Sequence, residues 1–337
     1  MFENIRQAYL PETNFPVVTI DYGKCKKCGR CSDQCPTFAI ESGADKLPRV
    51  RGFGGFEQTC FNCWNCVSVC PHDAIRIQGA HSIPGGRYKT RLLGKVEYPD
   101  PLRSGGVKPY QEFESQLTGV ERVIYTRRSC RLFKDKAVPR ETIERILEAG
   151  RFAPSAGNSQ PYRFAVITDR GIIAELERQS MKMLRQFKDL YLDSRGKKRW
   201  WKNILFTLLS LAKVNSIDPR PVPAIEKSDK NGDRLYFNAP AVILIFKNSN
   251  GIGNPDLDAG ICSQNMALAA NSLGLGSCHI TFFVEPMKSK GMSAMRRRLG
   301  ISYPWVPVNS IAIGYPKGTV DGVVKRDTPP SDWFTGD

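Results

Sequence analysis

Eight cysteines between Cys25 and Cys70 constrain this chain more than any other feature. They form two runs, Cys25-x2-Cys28-x2-Cys31-x3-Cys35-Pro36 and Cys60-x2-Cys63-x2-Cys66-x3-Cys70-Pro71, each position offset by 35 from its counterpart. The stretch is an internal duplication. Three thiolates two residues apart can cap three irons of one cubane from a single loop, and the fourth iron must then be reached from a distant point. In this spacing the fourth Cys of each run ligates the other [4Fe–4S] cluster. On that rule Cys25, Cys28, Cys31 and Cys70 hold one cluster, and Cys60, Cys63, Cys66 and Cys35 hold the second.

Zinc ribbons and disulfides compete with this reading. Zinc sites normally offer two Cys-x2-Cys pairs rather than runs of four. A disulfide network suits a small secreted chain, not one of 337 residues that starts Met-Phe-Glu-Asn-Ile-Arg without an apolar signal core. The segment resembles the bacterial two-cluster ferredoxins. Free thiols and labile clusters point to a reducing cytoplasm.

The length allows two domains, the second with a sizeable core. Residues 1–80 carry nine Lys/Arg and eight Asp/Glu, a net +1, so the remainder carries +15 of the total +16. A basic protein raises the question of nucleic acid. Here the bases are scattered and no helix-turn-helix or zinc-finger pattern accompanies them. The expected targets are instead anionic small molecules, a phosphate-bearing cofactor or an acidic electron carrier.

Val17–Asp21 reads as a short strand, and Pro36–Glu41 and Pro71–Ile77 each as a helical turn leading into a strand. Gly52, Gly54 and Gly55 mark a turn but do not form a dinucleotide fingerprint. A Pro/Gly-rich connector follows, giving expected divisions of 1–80, 81–120 and 121–330. Pro139–Ala149 has a helical period, with Gly150 as the expected stop. The apolar runs 163–168 and 241–246 read as buried strands. Asp258–Leu273 reads as a small-residue-rich helix and Val308–Ile313 as a last strand. Lys197–Val214 is Trp-rich and basic at its start, with Trp201, Leu205, Leu208 and Ala212 on one helical face. A lid or dimer contact is preferred there over a helix lying on a membrane surface. Its apolar part, Ile204–Val214, is too short to span a bilayer.

A second constellation begins at Arg127-Arg128-Ser129-Cys130-Arg131-Leu132-Phe133 and continues at Ala153-Pro154-Ser155-Ala156-Gly157-Asn158-Ser159-Gln160-Pro161. Gly274-Leu275-Gly276-Ser277 and Ile313-Gly314-Tyr315-Pro316 follow in order. Together these segments resemble the FMN-dependent nitroreductase family over residues 121–330, with a poor match at 175–235. The whole chain is similar to ferredoxin–nitroreductase fusions. The resemblance implies an α+β architecture, a small two-cluster domain followed by a mainly antiparallel sheet flanked by helices.

The resemblance also implies FMN and its contacts. Arg127, Arg128 and Ser129 would meet the phosphate, where charge-assisted hydrogen bonds are strong, joined by Lys325 or Arg326 near the C-terminus. Arg131 would sit by the N1/O2 edge of the flavin and stabilise the reduced ring's charge. Pro154, Ser155, Ala156, Asn158 and Gln160 would approach from a loop, plausibly of a second subunit, since family members are usually dimers with FMN at the interface. Ser277, Cys278, His279 and Ile280 would face the N5/O4 edge. His279 is the candidate proton donor, although a lone His is usually structural. Cys262 reads as a core thiol. The implied activity moves electrons from ferredoxin, flavodoxin or NAD(P)H to an electron-poor small molecule. The alternative is an electron-transfer module of a larger complex with no substrate of its own.

Overall fold

The computed structural model describes residues 15–52, 58–60, 62–79, 82–83, 90–91, 96–97, 99–101, 110–191, 221–318, 323–324, 326–327 and 331–336. The Trp-rich 197–214 segment, Lys325, Gly54 and Gly55 lie outside these residues. The chain divides into two compact units, 1–117 with 188–227 and 320–337, and 118–187 with 228–319. Segments 188–227 and 320–330, which sequence reading assigns to the later domain, thus group with the cysteine-rich half. Among the described residues no helix is long and apolar enough to cross a membrane.

The cysteine-rich unit is built from short pieces. Strand β1 (Val17–Ile20) pairs antiparallel with β4 (Ile75–Gln78), and β2 (Ile40–Ser42) with β3 (Pro48–Val50). Three two-residue strands follow, β5 (Ser82–Ile83), β6 (Thr90–Arg91) and β7 (Val96–Glu97), the last paired with β12 (Arg326–Asp327). The core combines Val18, Ala39, Ile40, Trp64, Ile75 and Ile77 with Cys31, Cys35, Cys60 and Cys66, and Val324 joins it. The expected strands form, but the turns after Pro36 and Pro71 are tight turns. The helices lie earlier, at α1 (Arg30–Gln34) and α2 (Asn65–Ser68), each ending just before its fourth cysteine.

The duplication is also present in the backbone. Left-handed conformations recur 35 residues apart at Lys27 and Asn62 (φ 54 and 56), Gly29 and Trp64 (74 and 58), and Phe38 and Asp73 (54 and 47). The amides of Lys27 and Asn62 each donate to the sulfur two residues back, Cys25 and Cys60, at 3.4 Å. Two identical loops therefore present their first three thiols in the same way.

The second unit holds a four-stranded antiparallel sheet in the order β10 (Gly276–Ile280), β11 (Trp305–Gly314), β9 (Ala241–Asn248), β8 (Tyr162–Ile167). From Ala241 to Phe246 every residue of β9 is fully buried, so both faces are covered and the sequence shows a continuous apolar run rather than alternation. Helices α5 (Arg140–Arg151) and α8 (Pro255–Ser272) pack together on one face, joining Ile143, Ile146, Cys262 and Met266 to Ile243, Ile245, Ile311 and Ile313. Asn254 caps α8 by accepting from the Leu257 amide at 3.2 Å, with Pro255 following. Gly150 does not stop its helix. It lies inside α5 and is buried, and a Cβ there would stand 2.5 Å from Met266 Cε and 3.1 Å from Cys262 Sγ. Close helix packing, not chain reversal, accounts for it.

Candidate functional sites

In the cysteine-rich unit Cys25, Cys28, Cys31 and Cys70 line one pocket of about 350 Å³, together with Lys26 and Arg30. This is the set that the spacing assigns to the first cluster. For the second set, the sulfur of Cys60 feels Cys63 and Cys35, and that of Cys66 feels Cys63, Cys60 and Cys35, and after them Cys31 of the first set. Burial pushes Cys31 and Cys60 up to about 12, and Cys66 upward as well, with neighbouring thiols adding in the same direction. A largely apolar pocket ringed by four thiols matches a soft iron–sulfur centre better than a hard cation. Among the described residues no three Cys, His, Asp or Glu side chains converge as a single metal ion requires.

The sets differ in their surroundings. Cys35, Cys60 and Cys66 are buried, whereas Cys28 is exposed and Cys25 and Cys70 half-buried. Lys227, from the 188–227 segment, donates from Nζ to the Cys35 carbonyl and stands 5.2 Å from the Phe38 ring centroid. Arg51 is 5.9 Å from the same ring. At the equivalent place in the first set, 35 residues on, stands an exposed carboxylate, Asp73, paired with Lys24 at 3.7 Å.

In the second unit three of the sequence segments come together. The Arg127–Phe133 arm runs beside β10 through a bridge between Ser129 and Ser277, and the Cys130 amide donates to the Ser277 carbonyl at 2.8 Å. Its far end meets the third segment, the Lys134 amide donating to the Tyr315 carbonyl at 2.8 Å. Gly276 permits this approach, since a Cβ there would lie 2.6 Å from Cys130 Sγ. Among the described residues Arg131 Nη1 and Ser277 Oγ are buried without a hydrogen-bond partner, and the Arg131 guanidinium lies 6.0 Å from the Phe237 ring centroid. A buried guanidinium nitrogen left unsatisfied is costly. An electron-rich ligand edge would satisfy the Arg131 nitrogen, and the Ser277 hydroxyl likewise lacks a partner that a polar ligand could supply, so these residues fit a flavin.

His279 Nδ1 pairs with Asn309 Nδ2 at 2.8 Å, and that amide also reaches Ser263 Oγ at 3.4 Å. Burial, and then the Arg127 charge, lower the His279 pKa to about 4, so the ring is neutral near pH 7. With Asn309 donating to Nδ1, the proton resides on Nε2. Sequence reasoning missed Asn309, which a β11 register shift between Pro307 and Asn309 re-aims. No residue pattern signals it. Among the other thiols, burial pushes Cys130 up to about 11 and Cys262 up to about 12.

The Pro154–Gln160 loop makes a different set of contacts. Ser155 Oγ accepts from the Gln160 amide at 3.0 Å, and Gly157, Asn158 and Gln160 adopt left-handed conformations. Its close neighbours are Ile252 and Gly253, while Pro154, Asn158 and Gln160 are exposed. Arg326 lies exposed in β12, in the other unit.

A sheet-based domain with a buried cationic arm, preceded by a duplicated thiol module, defines an iron–sulfur oxidoreductase of the flavin type. The chain belongs to the nitroreductase family, whose match covers residues 124–315, and a 4Fe-4S dicluster domain matches residues 21–75. A protein of Archaeoglobus fulgidus, provisionally named an NADH dehydrogenase/NAD(P)H nitroreductase, is 29% identical over 200 residues, covering 59% of this chain and 87% of its own. The ferredoxin of Methanothermococcus thermolithotrophicus is 41% identical over 63 residues, 18% of this chain and 97% of the ferredoxin. Among solved structures, a nitroreductase with bound FMN from Desulfitobacterium hafniense aligns with a TM-score of 0.47 at 24% identity, covering 65% of this chain and 98% of that one.

Proposed function

We propose that this protein passes electrons from a low-potential donor through two [4Fe–4S] clusters to FMN, and on to an electron-poor acceptor such as a nitroaromatic, a quinone or an activated C=C bond. The observation that carries the reading is that Arg131 Nη1 and Ser277 Oγ are each buried with no hydrogen-bond partner among the described residues, in a chain whose eight cysteines follow the two-cluster spacing. When bound, FMN takes electrons singly and delivers them in pairs.

On this reading the chain's own groups bind and tune. Arg127, Arg128 and Ser129 hold the phosphate, and Arg131 stabilises negative charge on the reduced ring. The Ser277–Ile280 strand faces the N5/O4 edge. Asn309 orients His279, whose neutral ring offers an Nε2–H hydrogen bond rather than an imidazolium proton. Pro154, Ser155, Ala156, Asn158 and Gln160 close the site from a second subunit. The protein works in the cytoplasm.

The test is to mix anaerobically reconstituted protein with reduced ferredoxin, NADH or NADPH and follow the flavin band. Fast bleaching by reduced ferredoxin, and none by pyridine nucleotides, is the expected outcome. Direct bleaching by NAD(P)H with no response to ferredoxin overturns the electron route and favours a nucleotide-dependent reductase.

A further inference from the structure

We propose that the exposed basic loop around the first thiol set, Lys24, Lys26, Lys27 and Arg30, is the docking surface for an acidic one-electron carrier protein. The inference rests on the functional reading above and names the entry point of that route.

The duplication supplies an internal control. Thirty-five residues on, the equivalents of these four bases are Thr59, Phe61, Asn62 and Asn65, none of them charged. The two loops share their backbone conformation and thiol presentation. The fold of a cluster loop therefore does not need the bases, and the first loop carries them for another reason.

Exposure differs in the same direction. All four bases are exposed, whereas Thr59 and Asn65 are buried; Cys28 is exposed and Cys25 half-buried, whereas their counterparts Cys63 and Cys60 are half-buried and buried. Lys26 and Arg30 line the same pocket as Cys25, Cys28, Cys31 and Cys70. A partner seated on this face would thus lie directly over the first thiol set.

Neighbouring acids leave the surplus positive. Between residues 21 and 33 four bases face two acids, Asp21 and Asp33. Asp21 Oδ1 accepts from the Gly23 and Lys24 amides at 3.0 and 3.3 Å. Lys24 meets Asp73 at 3.7 Å in an exposed pair, which contributes little. Among the described residues Lys26, Lys27 and Arg30 enter no ion pair. A charge count by domain conceals this density, because residues 1–80 sum to only +1. Such a patch steers and orients an oppositely charged partner. The transfer itself moves one electron from the reduced carrier to the protein, with no bond made or broken.

The test is stopped-flow reduction of the cluster-loaded protein by a reduced, strongly acidic [4Fe–4S] ferredoxin. It compares the native chain with the Lys26→Gln, Lys27→Gln, Arg30→Gln triple variant at salt from about 10 mM to about 0.3 M, where screening becomes strong. The native second-order rate should fall about tenfold over that range. The variant should start about tenfold slower and respond little to salt. Amidating the ferredoxin's carboxylates should reproduce the variant's behaviour on the native protein. Equal rates with equal salt dependence overturn the proposal, as does a native protein that the ferredoxin does not reduce. Should the triple variant lose iron, Lys27→Glu serves instead, since Lys27 lies outside the pocket lining, with a slowing of about threefold expected and none overturning the idea. Dithionite separates the two readings. Clusters that dithionite reduces without any bleaching of the flavin band refute the cluster-to-flavin route, while the ferredoxin rates still judge the docking face.

Discussion

The two halves of this chain are stabilised in different ways. The sheet-bearing half buries a continuous apolar core, with residues from Ala241 to Phe246 and from Ile311 to Ile313 removed from water on both faces. Each such Ile, Leu or Phe contributes roughly 2 kcal/mol through burial alone. The cysteine-rich half has strands of two to four residues and a core in which four thiols take the place of aliphatic side chains. Small domains of that kind fold on their inorganic groups. One half supplies a scaffold to which a ligand is added, whereas the other is completed by its ligands.

The sharpest way to break this contrast is to remove thiols. Cys35→Ser should abolish the cluster assigned to Cys60, Cys63 and Cys66, and Cys70→Ser the one assigned to Cys25, Cys28 and Cys31, each costing about half of the iron. Protease cleavage should then appear in the cysteine-rich half while the 118–187 and 228–319 segments stay protected. Loss of the same cluster in both variants would refute the crossed assignment.

Glu177 tests the scaffold half. It is buried, its Oε1 accepts from the Tyr236 amide at 2.7 Å, and burial raises its pKa from 4.5 to about 7. Because the folded value lies above the unfolded one, its contribution is fully present below about pH 4.5 and is lost as pH rises through 7. Glu177→Gln keeps an acceptor and should recover up to about 3 kcal/mol at pH 8. Denaturant midpoints at pH 5 and pH 8 would measure it, and an unchanged pH slope would refute it. His279 acts in the opposite window, since its lowered value costs stability as pH falls from 6.5 towards 4.

Gly150→Val should destabilise the same half by about 2 kcal/mol, because the added methyls overpack Met266 and Cys262. The iron–sulfur absorption should not change. A shift in the iron signal instead of the thermal midpoint would mean that the halves are not energetically separate.

The smallest expected effect distinguishes the two clusters from one another. Lys227 places a cation beside Cys35, and no equivalent cation is bonded to the Cys70 carbonyl among the described residues. A nearby cation favours the more reduced, more negative form. Lys227→Gln should lower the reduced-to-oxidised ratio of one cluster about tenfold at a fixed potential, about 59 mV for a one-electron couple. EPR-monitored redox titration should show the other cluster unmoved. Equal shifts in both, or none, would remove Lys227 from this role.

Local periodicity made much of the fold legible. The duplicated cysteine spacing led to two matching loops, and the apolar runs at 163–168 and 241–246 became β8 and β9. Misreadings arose where one residue type answers to two physical demands. Gly150 reads as a helix stop because glycine tolerates left-handed turns, yet a helix packing against it requires the same missing Cβ. The segment 188–227 reads as part of the later domain by position, but its residues group with the earlier one.

The sequence by itself made the two-run cysteine spacing and its iron–sulfur chemistry legible, because that spacing is written in short stretches of chain. It determined as well that Arg127, Ser129 and Arg131 share one arm. Tertiary structure alone decided what surrounds them: Ser277 beside that arm, Asn309 on His279, and Lys227 at Cys35, 192 residues away in the chain. Such pairings depend on strand register, a bulge and the path of an inserted segment. Those are settled by packing the whole core at once, and no local stretch of residues encodes them.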